Sequence, residues 1–398
     1  MEVNFLNFKR YIFPIVAIFI AALNLRPVIT SVSPLLETIR ESLNMSAALA
    51  SLLTALPVLC MGIFAPFAVK ITKRLSIEKT IAYSLLLICI STATRYFATS
   101  SWIMLLTAFT SGIGIAIIGP LLSGFIKKTF PNPSSIVGVY SLAVAIGAAF
   151  GAAFSIPLTN VFDSSWQTSV ASWCLLALVA TFFWIKPRKK EIELENKNDS
   201  ITNEIDLKSV LKSKQAWLLT SFFAILACMF YCITTWLPSI VHDMGYSKQT
   251  SGMVLTLFSI VQMPVSFLIP ILVSRCKKRI ILLVGCSSME LIGLITLLLS
   301  ISPWISSIFL GIGAGGLFSL GLALPIDEAS STKEANMLAA MTQSVGYIFA
   351  ALGPFLIGIV RDLSGSFTPS IIGMIICVII MILIQIKIGN KKPKRTSN

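Results

Sequence analysis

Side chains able to do chemistry are few in this sequence. It holds one histidine, His242, and eight cysteines scattered singly, the nearest pair (Cys228 and Cys232) at an i,i+4 spacing instead of a CxxC spacing. Neither a metal or catalytic centre built on histidine and thiolate nor a disulfide framework is expected. No cofactor motif is present either. What stands out is Arg26, set in the run NLRPVITSVSPLL (24–36). It lies about 16 residues past Arg10, roughly 24 Å along a helix at ~1.5 Å per residue. An arginine that deep in hydrocarbon costs about 3 kcal/mol, so it must face protein or a watery cavity. Its planar guanidinium suits a small monoanion or a flat ligand. The structural alternative is an arginine that satisfies backbone carbonyls freed by Pro27. Asn24 and Thr30 offer neutral polar groups about one turn away.

Other candidates for touching a substrate are Tyr231, Thr235 and Trp236 in one apolar stretch, Gln262 in the next, and Gln343 further on. An aromatic wall with a few hydroxyls fits a flat heteroaromatic or a small linear anion. Each has a structural alternative: Trp236 as part of an interfacial belt, the glutamines as interhelical bonds. Glu290 is the one acid inside an apolar stretch. Because burial disfavours the ionised carboxylate, it is a candidate for loading and releasing a proton during a cycle. A neutral Glu290 bonded to Ser287 or Ser288 is the structural alternative. His242 and Asp243 read as loop residues.

These residues need elements to hold them. Of 398 residues, 56% are hydrophobic and 12% charged, with a mean hydropathy of +0.87, against about 25% charge in a soluble domain. Twelve stretches are long enough to cross a bilayer, at about 20 residues each: 11–36, 46–69, 77–97, 101–126, 135–160 and 167–186, then 215–241, 249–273, 280–300, 303–325, 337–360 and 367–388. The expected fold is an all-α membrane protein. A net charge of +14 would suggest nucleic acid as the partner of a soluble protein, but these cations sit in short clusters between apolar runs. Placing the N-terminus in the cytoplasm leaves 26 of the 31 cations inside and only Arg40, Lys248 and Arg361 in outer loops. Both termini are therefore expected to be cytoplasmic.

The polar stretch 187–214 reads as a cytoplasmic linker between two six-helix bundles, 1–186 and 215–398, the second ending in a short basic tail. The bundles repeat at an offset of 199 residues: Gly112 and Gly114 match Gly311 and Gly313, Gly147 matches Gly346, and Asp163 matches Asp362. Together with Gly151 these glycines read as close-packing positions. Two parallel six-helix repeats are the layout of the major facilitator fold. The runs NLRPVITSVSPLL (24–36), LTALPVLCMGIFAPFA (53–68), WLPSIVHDMGYSKQTSGMVLTLFSIVQMPVSFLIP (236–270) and QSVGYIFAALGPFLIGIVRDLSGSFTP (343–369) are specific. Through them the chain resembles the cyanate and nitroimidazole transporter branch (CynX/NimT type) of the major facilitator superfamily. Its segment APFAVKITKRLS (65–76) lacks the glycine and aspartate usual there, so the gating salt bridge of that loop does not carry over.

The resemblance implies a secondary transporter of the cell membrane, not an enzyme. It would move a small polar or anionic solute by alternating access, as a monomer in the lipid bilayer, with the proton as a possible coupling ion. The alternatives are a drug or nitroimidazole efflux pump and, from another class, a non-transporting sensor or scaffold. A sensor or scaffold would need an effector domain, and both the linker and the basic tail are too short for one.

Overall fold

The computed structural model describes residues 5–72, 74–130, 133–161, 165–185, 212–275, 279–329 and 332–389. These are helical throughout, with no strand among the described residues. Among the described residues, twelve helices are long and apolar enough to cross a membrane: spans 1 to 6 are Tyr11–Ser42, Ala47–Phe67, Ile77–Phe97, Ser101–Ile126, Ile136–Val161 and Trp166–Ile185. Spans 7 to 12 are Lys214–Asp243, Lys248–Val273, Arg279–Leu298, Pro303–Pro325, Met337–Ser364 and Thr368–Ile388. Span 1 runs six residues beyond the sequence expectation. The restarted helix ends at Thr30, Pro34 stands in the first turn of a short helix over Ser33–Leu35, and the chain continues helical over Leu36–Ser42. His242 and Asp243 belong to the last turn of span 7 instead of a loop. Nearly all of the 187–214 segment, the tail 391–398 and Asp163 lie outside the described residues.

Local chemistry starts and stops these helices. Serine hydroxyls accept from the backbone N–H three residues on at Ser46, Ser76, Ser165, Ser213 and Ser247, capping spans 2, 3, 6, 7 and 8. The turn after span 1 needs a left-handed residue, supplied by Asn44 (φ 49°), and the turn after span 7 uses Gly245 (φ 93°). Asn44 and Gly245 are 201 residues apart, as are the caps Ser46 and Ser247.

The glycines show the same duplication in packing. A Cβ on Gly112 would meet Pro57 Cα of span 2 at 2.6 Å, and one on Gly311 would meet the Phe258 carbonyl of span 8 at 2.9 Å. Gly114 faces Ile88 and the Ser84 carbonyl of span 3, and Gly313 faces Glu290 and the Cys286 carbonyl of span 9. Gly147 lies on the Leu23 carbonyl of span 1, and Gly346 lies on Phe223 of span 7. In each pair the same two helices of a half are brought together.

Spans 2 and 11 bring the halves together from Gly358 on Ala48 to Gly62 on Ser344 and Ile348, and polar contacts tie them at the cation-poor end, where the loops between spans 1 and 2, 7 and 8, and 11 and 12 lie. One core joins Phe222, Tyr231 and Trp236 of span 7 to Leu36 and Ile39 of span 1 and Leu53 of span 2, while a second core, including Ile18, Val28, Ile81 and Trp184, belongs to the first half alone. At this end the Asp362 carboxylate accepts from the N–H groups of Ala47 (2.7 Å) and Ala48 (2.8 Å), so an acid of span 11 caps span 2 across the interface. Lys248 donates to Thr38 at 3.1 Å and pairs with Glu41 at 3.9 Å, also across the halves. Arg361 pairs with Asp243 at 2.7 Å within the second half. At the other end the ion pairs of the described residues, Arg279 with Asp327 and Glu328, stay within the second half.

Candidate functional site

Span 1 is not one helix. Phe5–Leu23 ends, residues 24–26 form a turn, and the helix restarts at Pro27–Thr30. Pro27 has no N–H to give the Leu23 carbonyl, and its ring crowds that carbonyl, so the ladder breaks there. Arg26 stands at the N-cap of the restarted helix, with φ −112° and ψ −37°. Its side chain leaves span 1 and reaches span 7 of the other half: one terminal nitrogen donates to the Tyr231 hydroxyl at 3.1 Å. The guanidinium carbon lies 5.3 Å from the centre of the Phe230 ring and 5.6 Å from that of Tyr231, within cation–π range. Tyr140 of span 5 and Tyr347 of span 11 lie within its electrostatic reach. None of the ion pairs of the described residues includes Arg26.

An aromatic wall surrounds this cation. Phe230 packs on Tyr231 at 5.2 Å and on Phe318 of span 10 at 5.3 Å, and Tyr347 stacks edge-on to Phe223 at 5.5 Å. The Tyr231 hydroxyl also points to the Met61 sulfur of span 2 at 3.9 Å. Spans 1, 2, 7, 10 and 11 thus converge on one half-buried cation with soft, apolar walls. Such a site can hold a small anion against the guanidinium, or a flat ring against the aromatics.

The residues singled out from the sequence divide between this centre and its supports. Tyr231 touches Arg26 directly. Asn24 turns away, donating to the Ile20 carbonyl at 2.7 Å and the Leu176 carbonyl of span 6 at 3.3 Å. Thr30 bonds the Arg26 carbonyl at 3.1 Å and lies where a Cβ on Gly151 would sit. Both stabilise the break and leave the guanidinium free. Thr235 shares a 2.9 Å bond with Thr54 of span 2, joining the halves. Trp236 is fully buried, donates to the Pro354 carbonyl at 2.9 Å and packs on Phe367, so it lies in neither an interfacial belt nor the wall around Arg26. The Gln262 amide nitrogen is buried without a partner, and Gln343 is half-buried in span 11. Glu290 is 1% exposed, packs against Gly313 between spans 9 and 10, and leaves one carboxyl oxygen unpartnered. Ser287 is bonded to Gln385 instead, and Ser288 to the Val284 carbonyl.

Three contributors escape sequence reasoning. Phe230 and Tyr347 reach Arg26 only once the halves are assembled. Arg95, at the end of span 3, is fully buried and donates to the Val28 carbonyl at 3.0 Å and to Thr107 at 3.4 Å. Val32 N–H bonds Ile29 in place of Val28, so the break leaves the Val28 carbonyl to Arg95. The sequence signal for it is an arginine beside the apolar run of span 3.

The sequence profile described as Major Facilitator Superfamily matches residues 15–354. The chain belongs to the major facilitator superfamily. It is a multi-pass membrane protein and, like the superfamily as a whole, a secondary transporter of small solutes and not an enzyme. It is 34% identical to an uncharacterised transporter, YycB, of Bacillus subtilis, over 92% of this chain and 91% of the relative. It is 31% identical to the 2-nitroimidazole transporter of Escherichia coli, over 98% of each, and 31% identical to the cyanate transport protein CynX of the same organism, over 92% and 94%. Among solved structures it superimposes on a D-xylose-proton symporter with a TM-score of 0.76 at 13% identity, covering 96% of this chain and 98% of that one. The nucleoside transporter NupG gives 0.74 at 13% identity, covering 96% and 99%. The facilitator fold is thereby shared, and the resemblance to the cyanate and nitroimidazole branch holds along nearly the whole chain.

Proposed function

We propose that the protein carries a small monoanion, of the size and shape of cyanate, across the cell membrane, and that Arg26 holds it. The observation that carries this reading is the guanidinium at the break in span 1, bonded to a neutral phenol and flanked by aromatic faces, with no described acid beside it. A planar cation with open donors binds a linear or planar monoanion by charge-assisted hydrogen bonds. The name of the cyanate transport relative supports the same class. Tyr231 is the second contact, and the wall of Phe230, Phe318 and Tyr347 excludes water. The cation clusters support cytoplasmic termini, with the cation-poor end outside and residues 187–214 as the linker between bundles.

A second reading has a specific observation behind it. The aromatic cluster is larger than a triatomic anion needs, and a flat, electron-poor heteroaromatic would stack within it, as the name of the nitroimidazole relative suggests. Substrate-dependent stabilisation of the purified protein separates the two, because a ligand that binds the folded state stabilises it by RT ln(1 + [L]/Kd) and so raises the melting temperature. Cyanate is expected to stabilise the wild type and not Arg26→Ala, and a charge-assisted bond lost at ~1.5–3 kcal/mol weakens binding roughly 10- to 100-fold. Stabilisation by 2-nitroimidazole alone, retained in Arg26→Ala, would replace the first reading by the second.

A further inference from the structure

The distribution of acids along the chain bears on how this carrier cycles. Of 17 acidic residues, Glu290 alone lies within the apolar body of a span; the others lie near span ends or outside the spans. Glu290 is packed between spans 9 and 10 of the second half, against Gly313, while the described neighbours of Arg26 are neutral. Arg95 adds a second buried cation to the first half, bonded to a hydroxyl and a carbonyl. Among the described residues, the centre at Arg26 therefore holds a fixed positive charge with no acid beside it.

Alternating access requires both ends to close over the centre at some point in each cycle. When the site is empty, that closure strips water from an uncompensated guanidinium. When a monoanion is bound, the pair enters the closed state neutral and hydrogen-bonded. Desolvation penalises the first passage far more than the second.

We propose that the protein is an obligate anion exchanger: it reorients only when loaded, so each monoanion carried in one direction is matched by one carried in the other. One anion in and one out moves no net charge and calls for no proton or metal cation. The proposal rests on the monoanion reading above and adds to it the mode of transport.

The test uses the purified full-length protein in phosphatidylethanolamine–phosphatidylglycerol vesicles, in chloride-free gluconate medium, with carbon-14 cyanate outside. Uptake into vesicles loaded with unlabelled cyanate is expected to be about tenfold faster, or more, than into vesicles loaded with gluconate, given the penalty for burying a lone arginine. A potassium diffusion potential set with valinomycin is expected to leave the exchange rate unchanged. Equal uptake into gluconate-loaded vesicles overturns exchange, as does accumulation there driven by the potential or by a proton gradient. Calorimetric titration of the same preparation with cyanate in detergent separates the two levels. Saturable binding together with equal uptake sinks the exchange mode alone, and absence of binding sinks the monoanion reading with it.

Discussion

Two arginines in one half of a membrane protein, neither beside a carboxylate, do different work because of what each touches. Arg26 presents its guanidinium to aromatic faces and a phenol, whereas Arg95 is spent on the Val28 carbonyl and the Thr107 hydroxyl. Replacing Arg95 by leucine leaves that buried carbonyl without a donor, at a cost of ~1–3 kcal/mol. The melting temperature of the purified protein is expected to fall, and Arg95→Lys to recover part of it; an unchanged melting temperature in Arg95→Leu would show the bond to be dispensable. Glu290→Gln keeps the shape and removes the titratable proton, so exchange is expected to run at the wild-type rate, and a loss of more than about tenfold would give Glu290 a place in the cycle. The depth of Arg26 is legible in the sequence because the apolar run around it sets its distance from the membrane edge. The burial of Arg95 is not: at a span end a basic side chain normally reaches outward to water, and here a carbonyl 67 positions away in the chain turns it inward. Trp236 likewise reads as belt or wall, and only the Pro354 carbonyl decides its place.

The break in span 1 depends on the helix behind it. Gly147 and Gly151 let span 5 lie directly on the Leu23 carbonyl, Pro27 and Thr30, so a side chain at either position would push the restarted helix and Arg26 away. Gly151→Leu is expected to lose monodisperse protein or, if it folds, cyanate-induced stabilisation. Gly124→Ala is the control, since no atom lies within 4 Å of a Cβ there, and it is expected to be neutral or stabilising by up to ~1 kcal/mol. If Gly151→Leu were as stable and responsive as Gly124→Ala, the close approach would not matter to the site. Spans were legible at this scale because length and apolarity alone specify them. The extension of span 1 to Ser42 was not, because Pro34 marks an end in sequence yet is tolerated in the first turn of a new helix, which here is the short one at Ser33–Leu35.

Across the whole molecule, the offset seen in glycines and caps reports two copies of one packing scheme, which is why the fold can be read from the sequence. The contacts between the copies cannot be read so directly, because the repeat relates equivalent positions and not the residues that face each other. Asp362 illustrates this: its pairing in sequence is with Asp163, but in space it caps the helix beginning at Ala47. Asp362→Ala removes two charge-assisted bonds from the cation-poor end. It is expected to shift the population toward states open at that end by on the order of tenfold, about 1.4 kcal/mol. Spin labels at positions 44 and 246 of a cysteine-free chain would report this as a longer distance fraction in pulsed EPR, and an unchanged distribution would rule the cap out as a latch. The discontinuity at Pro27 has a mechanical meaning as well. Bending an intact helix must stretch or sever bonds in its ladder, but at Leu23 the bond is already missing. Span 1 is therefore pre-cut, with Arg26 mounted beside the cut, and one segment can tilt against the other without tearing a backbone bond.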